Sequence, residues 1–133
     1  MADVAISSIA WKSGPKARAL DAGATIVLGD CVYVDTTDNK TKLGDADVLA
    51  SAAVTGLAAG GATNGNPVNV YGDGTVVTLN GGLTKGQTYY LSPTAGKICL
   101  FADLSAGDYP SIVGHALSTT DLLINIANLG VAI

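Results

Sequence analysis

Short runs rich in Val, Ile, Leu and Tyr recur along the chain, several alternating with polar residues as in Val68-Asn69-Val70 and Ile124-Asn125-Ile126. Gly, Pro, Asn or Asp ends run after run. Period-two alternation bounded by turn residues predicts β-strands joined by tight turns. Nowhere does an apolar stripe of helical period run long enough for a true helix. The polar connections Gly44-Asp45-Ala46-Asp47 and Ala102 to Asp108 have room for a single helical turn each.

The pattern repeats. Gly29-Asp30-Cys31-Val32-Tyr33-Val34-Asp35 matches Gly86-Gln87-Thr88-Tyr89-Tyr90-Leu91-Ser92, an offset of 86 − 29 = 57. The register continues through Thr37 with Thr94, Lys40 with Lys97 and Leu43 with Leu100. Val54-Thr55-Gly56-Leu57-Ala58 then matches Ile112-Val113-Gly114-His115-Ala116 at 58, and Val68-Asn69-Val70 matches Ile124-Asn125-Ile126 at 56. Two degenerate copies result, about 16–80 and 81–133, each supplying about five short strands. Asn39 and Gly96 share a column at the end of a hairpin loop, and both residue types accept positive φ. Gly56 and Gly114 share another, inside a strand, where a glycine marks a bulge, a bend or a close backbone approach.

The predicted strands are 16–20, 24–28, 31–34, 40–43, 68–71, 75–79, 88–91, 97–100 and 122–127, with those around Gly56 and Gly114 and a last one at 131–133. The expected fold is all-β: a compact β-barrel or two-sheet sandwich of about ten short strands, with an internal pseudo-two-fold repeat and an extended N-terminal arm. Residues 1–15 are that arm, and 16–133 a single β domain. Two placements of the arm fit its short apolar patches. It is an edge strand closing its own subunit, or it lies on a neighbour. In the second case Val4, Ile6, Ile9 and Trp11 make contacts outside their own subunit, and deleting residues 1–12 leaves the rest folded. The loop Ala59 to Pro67 is expected to be a flexible surface loop.

The 133 residues suffice for one core, and aliphatic rather than aromatic side chains must fill it, since aromatics are 5% of the chain. Seven basic against eleven acidic side chains, net −4, lack the concentrated positive face a phosphate backbone requires, so no nucleic-acid partner is expected. No apolar stretch reaches the length of a membrane span, and the start shows no cationic leader before an apolar run. A soluble protein made in the cytoplasm, with no membrane partner, is expected.

Reactive groups are sparse. The single histidine, His115, has no nucleophile-elbow sequence to serve and is expected to be structural and partly exposed. With only Cys31 and Cys99 to join it there is no zinc-ligand spacing, and the cysteines are expected to be free thiols in sheet positions. Gly56 to Gly61 spells G-x-x-x-x-G, yet Ala62-Thr63 stands where a phosphate loop needs Lys-Ser/Thr. Asp35, Asp38, Asp45 and Asp47 lack the spacing of a calcium loop. Tyr33, Tyr89, Tyr90 and Tyr109 read as cross-strand and rim packing. No catalytic residue, metal or cofactor is expected, and the chain reads as a non-enzyme.

The segments Leu83-Thr84-Lys85-Gly86, Tyr90-Leu91-Ser92, Gly96, Ala102-Asp103-Leu104, Gly107-Asp108-Tyr109 and Val113-Gly114-His115-Ala116 together resemble the head-decoration or capsid-cement proteins of tailed bacteriophages. The likeness is best over residues 81–133. It implies a β-rich virion structural protein, made in the host cytoplasm, that binds the major capsid protein on the capsid exterior. The homo-oligomer it implies is a trimer, with a dimer second. The stabilisation implied is non-covalent cross-bracing of capsomers. The alternative is a receptor- or glycan-binding module of a phage fibre or tail, using the loop Ala59 to Pro67 and the paired tyrosines.

Overall fold

The computed structural model describes residues 3–133, which form strands and two single 3-10 turns. In chain order the strands are β1 (Ile9–Ser13), β2 (Arg18–Asp21), β3 (Cys31–Asp35), β4 (Lys40–Leu43), β5 (Gly56–Ala58), β6 (Pro67–Tyr71), β7 (Val76–Leu79), β8 (Thr88–Leu91), β9 (Ile98–Leu100), β10 (Ser111–Ala116) and β11 (Asp121–Asn128). One antiparallel sheet is ordered β1-β7-β11-β10-β8-β9 and the other β2-β6-β5-β3-β4. The fold is the expected all-β one, and of its two forms it is the two-sheet sandwich. The 3-10 turns, Ala50–Ala52 and Phe101–Asp103, follow the two equivalent hairpins.

The duplication is written in the hydrogen-bond register. In the first hairpin Val32 faces Leu43 and Val34 faces Thr41, while in the second Tyr89 faces Leu100 and Leu91 faces Ile98. Cys31 faces Leu57 and Val32 faces Gly56, as Thr88 faces His115 and Tyr89 faces Gly114. The shared turn column requires positive φ in both copies, 58° at Asn39 and 79° at Gly96. The last pair of strands corrects the expected alignment. Leu57 faces Tyr71 where His115 faces Leu123, so Tyr71 corresponds to Leu123 at an offset of 123 − 71 = 52, not 56. The displacement is an even number of residues, so sequence alternation alone could not detect it.

Two predicted strands are not strands. Within 24–28 only Ile26 pairs, in a single bridge to Ala62. Residues 131–133 have no ladder, although their counterpart is β7. The reason is an exchange: β7 leaves its own copy and lies against β11 of the second, while β2 takes the seat beside β6. The loop Ala59 to Pro67, expected to be flexible, is tied down by main-chain bonds. Ile26 and Ala62 exchange both of theirs, Gly65 donates to Ala22, and Ala22 donates to Asn66.

Sheet edges carry unpaired main-chain groups, and this fold covers most of them. The five-stranded sheet curls until its edges meet at a bridge between Ala22 and Thr41, where the Gly23 amide donates to the Thr41 carbonyl at 2.7 Å. The N-terminal segment serves the six-stranded sheet at both edges. The Val4 amide donates to Ile98 in β9, and β1 pairs with β7. The outer edge of β1 carries Lys12 and a bulge between Trp11 and Ser13, both of which discourage further strand addition.

Two apolar clusters follow from this curl. Ala22, Ile26, Val32, Ala58, Val68 and Val70 fill the inside of the five-stranded sheet. Val77, Leu79, Tyr89, Leu91, Ile98, Val113, Leu122 and Ile124 form the larger one, joined by Cys31, Leu57 and Tyr71 from the other face of the five-stranded sheet. That sheet is therefore buried on both faces at its centre, where every residue of β5 is buried. Thr41 stands on its inward side, paired with Val34, fully buried and with no hydrogen-bond partner for Oγ1. A buried hydroxyl left unpaired costs on the order of 1–3 kcal/mol. The equivalent residue in the second copy is Ile98. Thr41→Val is therefore expected to stabilise the protein by about 1 kcal/mol, measured as a rise in the urea midpoint at constant slope.

Candidate functional site

His115 projects from β10 onto the outer, half-exposed face of the six-stranded sheet. Its Nδ1 is 3.0 Å from Thr88 Oγ1 and its Nε2 is 3.3 Å from the Asn125 side-chain nitrogen. The ring is thus held between the threonine hydroxyl and the asparagine amide, one at each nitrogen. Among the described residues no carboxylate hydrogen-bonds the ring, and no group of three or more His, Cys, Asp or Glu is arranged to hold a metal ion.

Cys31 and Cys99 are both buried and free. Burial, with Asp30 next to it, pushes the Cys31 thiol far above its ordinary value, and burial with Asp103 and Asp3 nearby pushes Cys99 up to about 12. Thiols held protonated in this way are poor nucleophiles. Gly56, the first glycine of G-x-x-x-x-G, lies inside β5 and cannot cradle a phosphate.

The four aspartates seen together in sequence separate into two places. Asp35 and Asp38 flank the first hairpin loop and share Lys42, at 2.8 and 3.1 Å. Lys42, helped by the Thr37 amide and hydroxyl, holds Asp35 well below the usual carboxylate range. Asp45 and Asp47 follow β4, where the Tyr109 amide donates to the Ala46 carbonyl at 2.8 Å and brings Asp108 alongside. A hydrogen bond to Asp108, then desolvation and the charges of Asp45 and Asp108, raise the pKa of Asp47.

Asp47 thus binds its proton more tightly in the folded state than in the unfolded one. Repulsion is felt at pH values above the raised folded pKa. It fades as pH falls through that value and is gone below the unfolded pKa. Asp47→Asn is expected to raise the thermal midpoint at neutral pH and to lose that advantage on acidification, measured by melting across pH 3–8.

The four residues expected on the arm divide. Val4 is buried in the larger cluster, Ile6 and Ile9 pack against it, and Ile6 also lies over Gly29. These three are committed to their own subunit. The arm is further held by the Asn80 side chain, which accepts from the Ser7 amide at 2.8 Å and donates to the Ala5 carbonyl at 3.0 Å. Lys12 pairs with Asp121, and the Ser92 hydroxyl donates to Asp3. Trp11 alone of the four is exposed, at 41%. Its indole is held in place, with Nε1 donating to the Gly14 carbonyl at 3.1 Å and the Lys16 ammonium 4.5 Å over the ring.

A second exposed feature lies where the link after β4 meets the end of the chain. Val48, Leu49, Leu129, Val131 and Ile133 are each about half exposed or more. Leu49, Ala52, Ala53, Ser111, Asn128 and Gly130 line one shallow depression, which places Leu49 next to the 128–131 segment. The Gly107 amide donates to the Ile133 carbonyl and the Ile133 amide donates to the Asp108 carbonyl, drawing the same segment to Asp108. The result is an apolar patch around a depression with Asp45 and Asp47 along one side and Asp108 buried next to Asp47. Sequence pattern missed it because 131–133 resembles a strand. The available signal was Gly130, a turn residue followed by three apolar residues with no polar alternation.

Tyr33 and Tyr90, which share a column of the repeat, lie in different sheets, in β3 and β8. Tyr89 is buried and accepts the Thr84 amide on its hydroxyl at 2.8 Å, while Tyr90 meets Phe101 edge-on, with ring centroids 5.3 Å apart. No family model matches the sequence, and no curated protein matches it.

Proposed function

We propose that this chain is a virion structural protein which binds the outside of a tailed-phage capsid and stabilises it by non-covalent bracing of neighbouring capsomers. The observation that carries the reading is the resemblance of residues 81–133 to head-decoration proteins. Its motif residues all shape the body. Gly96 supplies the positive-φ turn, Ala102 and Asp103 the second 3-10 turn, Val113 to Ala116 the strand β10, and Tyr109 the bond to the first copy.

Physical features support it. A body with most sheet edges covered suits a mechanical role. The exposed apolar patch and the fixed indole are protein-docking chemistry, not substrate chemistry. Many weak copies on one shell add through multivalency.

The test uses heads lacking this protein, from the phage or prophage that encodes it. Purified protein is expected to co-sediment with those heads, to appear as density at regular exterior positions, and to raise the temperature at which they rupture. Failure to co-sediment, with retention on host surface polysaccharide, would replace this reading with that of a fibre or tail module.

A further inference from the structure

We propose that copies of this chain associate head to tail, the Trp11 strip of one copy seated on the acidic-rimmed apolar patch of the next. The proposal extends the virion reading, on which the site of the assembly rests, by naming the two surfaces that meet.

The two surfaces are complementary in sign. The strip is an exposed aromatic beside an unpaired cation. Trp11 is exposed and its orientation fixed, with the Lys16 ammonium over its ring, while the neighbouring Lys12 is paired with Asp121. Among the described residues Lys16 and Arg18 form no ion pair. Lys42 and Lys97, in contrast, stand beside aspartates of their own chain.

The patch is the opposite. It is a depression lined by Leu49, Ala52 and Ala53, bordered by Leu129 and Val131, with the exposed Asp47 and the half-buried Asp45 beside it and Asp108 itself buried. No cation forms an ion pair with those three carboxylates among the described residues. Indole in an apolar recess, ringed by opposite charge, is hot-spot chemistry.

Self-pairing of either surface fails on sign. Two patches facing each other would set Asp45 and Asp47 against their own kind, and two strips would oppose Lys16 to itself. The unlike pair relieves both and also lowers the strain on Asp47, whose neighbours are carboxylates. A contact between unlike surfaces repeats from copy to copy and closes when the rotation allows it.

The experiment measures mass by analytical ultracentrifugation of the full chain over a range of concentration and salt. The wild type is expected to be a multiple of 13.2 kDa that dissociates as salt rises. Trp11→Ala is expected to raise the dissociation constant ~10-fold or more. Lys16→Glu and Asp47→Lys are each expected to weaken assembly, and the two changes combined in one chain to restore it. Restoration cannot arise from a misfolded variant, so the double change keeps the idea refutable. A wild type that stays monomeric, or an oligomer indifferent to all three single changes, overturns it. Capsid binding is scored separately. A monomer that still decorates heads sinks only the head-to-tail contact, and an oligomer that ignores heads sinks only the virion role.

Discussion

Gly56→Ala and Gly114→Ala are each expected to cost about 3 kcal/mol or more, at the severe end for single substitutions. A Cβ built on Gly56 would lie 1.9 Å from the Tyr71 carbonyl oxygen, and one on Gly114 would lie 2.3 Å from that of Leu123. Both obstacles are main chain on a paired strand, so no side-chain rotation can make room. Relief would need β6 or β11 to move away, breaking the ladder with β5 or β10. Both strands are central, so the damage would spread to each neighbour. Gly60→Ala is the control, since nothing lies within 4 Å of its Cβ position. Urea denaturation should show a large fall in midpoint for the first two and almost none for the third. Mild effects at Gly56 and Gly114 would mean that the two strand pairs are looser than described.

Deleting residues 1–13 is expected to abolish cooperative folding, against the expectation from sequence that a truncation at residue 12 would leave a folded body. The segment contributes Val4 to the core and half-buries Ile6 and Ile9. Full burial of such a side chain is worth about 1.5–3 kcal/mol. Together these come to about 3–6 kcal/mol, comparable with the lower end of the net stability of a domain, about 5–15 kcal/mol. The deletion also bares β7 and β9 at opposite edges of one sheet, so aggregation should accompany unfolding. The observable is loss of a single thermal transition, with light scattering. A truncated protein that melts cooperatively near the wild-type temperature would show that the arm is not part of the fold.

Much of the strand layout was readable because each strand carries its own local grammar. Alternation set the faces, and Gly, Pro, Asn and Asp set the ends. The duplication added evidence that no single strand held, since Asn39 and Gly96 predicted each other's backbone. Partnering was not readable. Nothing in the sequence around Val76 to Leu79 says that this strand joins the sheet of the other copy, and its departure left 131–133 without a ladder.

Coverage was not readable either. Cys31, Leu57 and Tyr71 occupy the row that Thr88, His115 and Leu123 occupy in the second copy, yet the first row is buried and the second half-exposed. Alternation shows which residues share a face, not what lies over that face. The candidate site follows the same division. Trp11 was singled out as an anchor because a lone tryptophan on an arm stands out. The patch it is proposed to meet is assembled from segments about eighty residues apart, and no local pattern announces such a meeting.

The route of the N-terminal segment sets an order on folding. Residues 4–13 are synthesised well before β7 and β9, the strands that hold them, and must wait until the chain has grown past Leu100. Closing a loop of more than ninety residues, from Val4 to Ile98, raises the contact order and favours slow, late docking. During that interval two strand edges stay open to other nascent chains. Yield from cells should therefore depend more steeply on expression rate and temperature than the stability of the finished protein would suggest.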